Sequence, residues 1–133
     1  MVVIAAVDDE GDTHIVEEGA ALAEAFNDEL HVIHVLSRED VESDAGKGGT
    51  ETALERAERR AAEIAEETGE EFDAVGRIGR PAQELEDYAT SEDARYVVIG
   101  GRKRTPIGKA LFGSVTQSVL LTVDTPVVAI RAE

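Results

Sequence analysis

Two stretches in the last third of the chain carry residue types suited to gripping an anion. Gly100-Gly101 follows the apolar run Tyr96 to Ile99, a place where amides unobstructed by side chains can approach a phosphate. Gly113-Ser114-Val115-Thr116 then opens a helical pattern. A helix start offers unpaired N–H groups and a positive dipole end, and the Ser114 and Thr116 hydroxyls add donors. The charge pattern agrees. From Ala94 to Val123 there is no Asp or Glu, and Arg95, Arg102, Lys103, Arg104 and Lys109 give this segment +5 in a chain of net charge −16. A basic loop in an acidic protein suits an anionic ligand. The plainer alternatives are pairing of these bases with acids on a neighbouring element, and a helix capped in the ordinary way by Ser114.

The elements that must position these groups alternate along the chain. Val2 to Val7 is a short apolar run, as expected of a buried parallel strand. Asp12-Thr13 offers a cap for a helix bearing Ile15, Ala20, Leu22, Ala23 and Phe26, and Asn27-Asp28 breaks it. Leu30 to Leu36 is a second strand. Ser37 to Thr50 is polar, contains Gly46-Lys47-Gly48-Gly49, and reads as a flexible loop. Glu51 to Thr68 forms a helix, with Gly69 placed as its C′ residue. Phe72 to Ile78 is a weaker, more polar strand suited to a sheet edge. Gly79-Arg80-Pro81 leads to a short helix over 82–90. Tyr96 to Ile99 is the fourth strand, 114–123 a last helix, and Val127 to Ile130 a fifth strand.

Strict strand–helix alternation implies one domain over residues 1–133, a five-stranded parallel sheet with helices on both faces. The polar third strand favours the spatial order 3-2-1-4-5 over the flavodoxin-like alternative 2-1-3-4-5. The winding then reverses between strands 1 and 4, where ligands of such folds bind. The pocket is expected between Asp8-Asp9 and the loop that begins at Gly100.

Composition excludes several classes. With no cysteine there is neither a disulfide framework nor a cysteine metal site. The N-terminal run lacks a basic flank and meets acids too early for a membrane span, which predicts a cytoplasmic protein. The acidic surface argues against nucleic acid and membrane partners and fits adaptation to concentrated salt. His14, His31 and His34 suggest a metal site, but His31 and His34 lie an odd number of positions apart on a strand and face opposite sides, and His14 belongs to the first helix, so no metal site is expected. Gly46-Lys47-Gly48-Gly49-Thr50 lacks the spacing of a P-loop. Asp8-Asp9 suggests a receiver domain, but the third strand ends in Arg77-Ile78-Gly79-Arg80 and the fifth in Ile130-Arg131, without its aspartate or lysine. No catalytic trio is indicated.

Taken together, Gly100-x-x-Lys103-x9-Gly113-Ser114, the following helix and the Pro126-Val127-Val128 strand resemble the universal stress protein family and its signature G-x2-G-x9-G-[ST]. The first strand ending in Ala6-Val7-Asp8, the second strand's His34-Val35, and Gly79-Arg80-Pro81 are similar to the family as well, so the resemblance spans the chain. It implies a dimer that binds ATP, ADP or AMP. Ala6, Val7 and Asp8 would line the ribose or adenine side, and the Val35 backbone would read the adenine edge. Ile99, Gly100, Gly101, Arg102 and Lys103 would cross the ribose and phosphates. Gly113, Ser114, Val115 and Thr116 would hold the phosphate tail, with magnesium carried by the nucleotide.

Lys103 stands where the family has its second glycine. It either crowds the ribose–phosphate path and forfeits a positive φ, or turns its ammonium inward as a point cation. Three functions follow: a nucleotide-loaded stress protein, a dimeric interaction module with a degenerate pocket, or a slow ATPase. The apolar last strand, expected at a sheet edge, is the predicted dimer contact.

Overall fold

A strand in the middle of a sheet covered on both faces must be apolar on both sides, and Val2–Ala6 (β1) meets that demand: Val3, Ile4 and Ala5 are fully buried. The computed structural model describes residues 1–43, 51–101, 103–104, 110–111 and 113–131, with the backbone alone at 103–104 and 110–111. Around β1 the parallel sheet runs β3 (Asp73–Ile78), β2 (Glu29–Leu36), β1, β4 (Ala94–Gly100) and β7 (Val127–Ile130). This is the order 3-2-1-4-5, with the polar third strand at one edge and the last strand at the other.

Helices α1 (Thr13–Phe26) and α3 (Ala53–Glu66) cover one face, where Ile15, Val16, Ile64 and Ala65 pack against Val3, Ala5 and Val32. Helices α4 (Pro81–Glu92) and α5 (Ser114–Thr122) cover the other, where Leu85, Tyr88, Val119 and Val123 meet Val2, Ile4, Ile33 and Val97. The small residues of α3 bring its backbone close to the sheet. A Cβ added to Gly76 on β3 would lie 2.4 Å from the Glu58 nitrogen and 2.7 Å from the Leu54 oxygen, both main-chain atoms that cannot rotate aside.

Local signals set the helix ends. Thr52 and Glu55 form a reciprocal capping box at the start of α3. Asn27 closes α1 in the left-handed region at φ 57°, and Gly69 turns the chain after α3 at φ 74°. Asp12 does not cap α1. Its carboxylate turns back to the chain after β1, and Asp9 caps a 3₁₀ turn over Glu10–Asp12 instead. The segment read as a loop after β2 is also partly ordered: Arg38–Ser43 forms a short helix, α2. The Gly46 to Gly49 run lies outside the described residues. In the basic loop, Lys103–Arg104 (β5) and Ala110–Leu111 (β6) pair as a small antiparallel ladder.

At the N-terminal end of the sheet, Ala94 pairs with Val2 but Tyr96 with Val3, leaving Arg95 as the extra residue of a bulge. Its Nε donates to Asp28 Oδ2 at 2.6 Å, and the Met1 ammonium lies 3.3 Å from the same carboxylate. The Arg95 guanidinium also sits 4.3 Å over the Phe26 ring. Arg95 is therefore paired with an acid far from the switch point and is no part of an anion seat there.

Two outcomes test this packing. Gly76→Ala forces α3 off β3 and should lower the unfolding free energy by about 2–3 kcal/mol in urea titrations. The Arg95 hydrogen bond, aided by the Met1 ammonium and opposed by burial, holds the Asp28 carboxyl below its ordinary range. Stability from a lowered carboxyl is fully present above the ordinary carboxylate range and is lost as pH falls through the folded-state value. Asp28→Asn should thus destabilise at neutral pH, with the gap to wild type closing in acid; a pH-independent gap in the same titrations would refute the assignment.

Candidate functional site

Strand lengths create the opening. β1 ends at Ala6, opposite Ile33, whereas β2 continues to Leu36 and β4 to Gly100. The Val7 N–H still reaches the Ile33 carbonyl at 2.9 Å, and the Leu36 carbonyl on the other side accepts from Gly79. Main-chain polar groups alternate along a strand, so Val35, like Ile33, turns its N–H and C=O toward the side that β1 has left. The Val7 carbonyl is held by the His34 ring, whose Nδ1 lies 2.9 Å from it. His34 thus acts as a buried, satisfied polar group.

The space beyond is a cleft of about 300 Å³. Its walls are mainly apolar, from Ala6, Val7, Ile33, Val35, Leu85, Ile99, Val115, Val119 and Ile130, with Asp8, Asp9, Asp12, His14 and Thr116 supplying polar groups at intervals. Gly100 and Gly101 complete it. Gly100 is bare for a packing reason, because a Cβ there would stand 2.9 Å from Ile15 Cδ1.

Of the residues expected from sequence, Ala6, Val7, Asp8, Val35, Ile99, Gly100, Gly101, Val115 and Thr116 converge on this cleft. Ser114 lies beside it, on a groove shared with Arg80, Gln83 and Ser118. Gly113 is the N-cap residue of α5, without a side-chain cap, so the reading of Ser114 as an ordinary cap does not hold. Arg102 is outside the described residues, as are Lys109 and most of the basic loop. Lys103 occupies an extended strand position, a backbone region open to any residue, so replacing glycine there carries no left-handed strain.

Two expected donors are already engaged. The Gly101 N–H donates to the Ile130 carbonyl at 2.8 Å, and the Thr116 hydroxyl donates to the Gly100 carbonyl at 2.7 Å. The first fastens the end of β7, and the second the start of α5, to the end of β4. Among the described residues, the amides opening α5 have no main-chain acceptor, because the helix ladder begins with Gln117 N–H to the Gly113 carbonyl.

Among the described residues that line the cleft, three acids carry charge at the mouth. Asp12 Oδ2 accepts from the Asp8 and Asp9 amides at 2.7 and 3.2 Å, and Asp9 Oδ1 accepts from Gly11 at 2.8 Å. Burial pushes the Asp12 carboxyl above its ordinary value, the two amide bonds pull it down, and the charges of Asp9 and Asp8 push it up again. From sequence, Asp12 reads as a helix cap and His14 as a residue of the first helix, and neither is expected at the cleft. His14 Nδ1 bonds the Gly11 carbonyl at 2.9 Å, while Nε2 is buried with no partner among the described residues. Helical spacing from Asp12 was the available signal, but it does not say which face meets the cleft.

Residues 1–131 match the universal stress protein family. A universal stress protein of Mycolicibacterium smegmatis is 40% identical over 67 residues, half of this chain and 52% of that protein, so the match spans about half the length of that relative. A universal stress protein of Thermus aquaticus, from the QAH/OAS sulfhydrylase 3′ region, is 34% identical over 84% of this chain and 83% of its own. Among solved structures, a universal stress protein of Archaeoglobus fulgidus is 28% identical, covers 97% of this chain and 96% of its own, and superposes with a TM-score of 0.70. A universal stress protein in complex with cAMP shares the fold at 20% identity and TM-score 0.69, over 100% and 98% of the two chains. A universal stress protein from A. fulgidus in complex with dAMP does so at 23% and 0.62, over 97% and 95%. With the fold, the cleft and these matches in agreement, this chain belongs to the universal stress protein family.

Proposed function

We propose that the cleft binds an adenine nucleotide and that binding, rather than turnover, is its role in a stress response. The observation that carries this reading is the largely apolar slot under the Val35 main chain, which has no strand partner on that side among the described residues. An adenine ring needs flat apolar walls and one donor–acceptor edge, and Ala6, Ile33, Val35 and Leu85 with the Val35 backbone offer that combination. At about 300 Å³ the slot suits a nucleoside; a phosphate chain would leave it across the opening of α5. Asp8 and Asp9 suit ribose hydroxyls, which donate hydrogen bonds, better than phosphates, which they repel. Solved family members carrying cAMP and dAMP support the same ligand class.

ATP, ADP and AMP fit this seat, and magnesium would travel with the phosphates, offsetting the three acids at the mouth. The bases at Arg102, Lys103, Arg104 and Lys109 are the proposed counter-charges for the tail. No helix among the described residues is long and apolar enough to cross a membrane. Together with the acidic composition, this supports a cytoplasmic setting, in concentrated salt that screens the charge of −16.

Gly113→Asp separates folding from binding. Nothing lies within 4 Å of a Cβ built at Gly113, and Asp is a favourable N-cap, so the variant should fold at least as stably as wild type. Its carboxylate would occupy the tail's path, and ATP affinity measured by calorimetry in concentrated KCl should fall at least about tenfold. Wild type that gives no heat with ATP, ADP or AMP would remove the nucleotide reading and favour the interaction module.

We also infer a homodimer through β7. This strand is the last of the sheet and is bonded on one side by β4, through Pro126 and Ile130 carbonyls. By alternation, the Val127 and Ala129 main chains face outward, a free ladder for a second copy. Ala129→Pro removes an outward N–H and leaves the β4 ladder intact. Light scattering should show a dimer for wild type and a monomer for the variant; a monomeric wild type overturns the inference.

A further inference from the structure

At the end of the sheet opposite the cleft, alternation and register bring three ligating residues onto one face. Glu29 and His31 are two apart on β2, and Asp73 on β3 is the direct cross-strand partner of His31. We propose that Glu29, His31 and Asp73 form a site for a divalent transition-metal ion, with Zn²⁺ as the reference ion.

The histidine is the reason this is more than an acidic surface. Its side chain is nine-tenths buried, and Nε2 points between the two carboxylates, 3.5 Å from Asp73 Oδ2 and 3.8 Å from Glu29 Oε1. Those distances are too long for a good hydrogen bond to either. They are close to what a shared metal requires, since tetrahedral zinc with bonds near 2.0–2.1 Å holds its ligand atoms about 3.3 Å apart. All three ligand atoms already lie within 4.8 Å of one another. Both carboxylates are exposed, unpaired with Lys or Arg among the described residues, and free to close by small rotations.

The far side of the ring is built as well. His31 Nδ1 is hydrogen-bonded to the buried Tyr88 hydroxyl of α4. A metal on Nε2 requires the proton on Nδ1, and Tyr88 is then its acceptor, the usual outer partner of a ligating histidine. Arg77 stacks 5.0 Å over the Tyr88 ring and fixes it from β3. Glu92, 4.0 Å from Nδ1, adds negative charge behind the imidazole. One nitrogen and two carboxylate oxygens favour zinc, cobalt or nickel over magnesium or calcium, which take oxygen alone. Open positions remain for water or a further ligand.

The rival arrangement is an imidazolium that pairs with both carboxylates and binds no metal. Chelator-stripped protein titrated with Zn²⁺ by calorimetry, in concentrated KCl with excess Mg²⁺ to occupy the acidic surface, distinguishes the two. One Zn²⁺ per chain is expected. The Glu29→Gln, Asp73→Asn double variant changes only exposed side chains and should weaken binding at least about tenfold, and Tyr88→Phe should weaken it about 10–100-fold, with circular dichroism unchanged in each. Co²⁺ should give a visible d–d absorption that the double variant lacks. Absence of saturable Zn²⁺ binding in wild type, or equal affinity in the double variant, overturns the proposal.

Discussion

The early end of β1 governs the functional end of this molecule. A parallel strand can hold its neighbours' main chains only as far as it runs, and β1 stops at Ala6 while β2 and β4 continue past it. The main chain of Val35 is left facing a gap, and the chain after β1 must turn sharply away into α1. Asp12 makes that turn possible by gathering the amides of Asp8 and Asp9, at the cost of placing three carboxylates beside the gap. The apolar residues that fill a sheet's interior become the walls of a slot wherever the sheet stops. The cleft is therefore opened by strand length and walled on one side by Leu85 of α4 and Val115 and Val119 of α5.

Charge is distributed along the strand direction. At the N-terminal ends, Arg95, Asp28 and the Met1 ammonium close into one cluster, and Glu29, His31 and Asp73 gather around an imidazole. At the C-terminal ends, the carboxylates of Asp8, Asp9 and Asp12 face the cleft. Glycine has a similar division of labour. Gly76 lets α3 approach β3 and Gly100 makes room for Ile15, whereas Gly113 leaves the opening of α5 uncapped.

The alternation of apolar runs with helical patterns made the five strands, their order and the two covered faces legible from sequence, because burial on both faces demands continuous Val, Ile and Ala. The polar Asp73–Ile78 strand belonged at an edge for the same reason. Topology placed Asp8-Asp9 and the Gly100 loop at the cleft because it fixes where strands 1 and 4 part, whereas Ala6, Val7, Val35 and Ile99 were named through the family resemblance. The basic segment was less transparent. Arg95 shared a charge pattern with Arg102 to Lys109, yet a bulge aims it at Asp28, 67 residues away in the chain. Asp12 looked like an ordinary cap, and only its position beside two preceding amides shows its other use.

Sequence by itself determined what depends on neighbours along the chain: helix ends at Asn27 and Gly69, the capping box at Thr52, the apolar strands and the glycines around the last helix. Tertiary structure decided how groups distant in sequence share their hydrogen bonds. It committed the Gly101 amide to Ile130 and the Thr116 hydroxyl to Gly100, and among the described residues it left the first amides of α5 without a main-chain acceptor. It also set His31 opposite Asp73. Local pattern specifies which face a residue takes, but the partner on that face depends on register between strands, and register exists only once the sheet has formed.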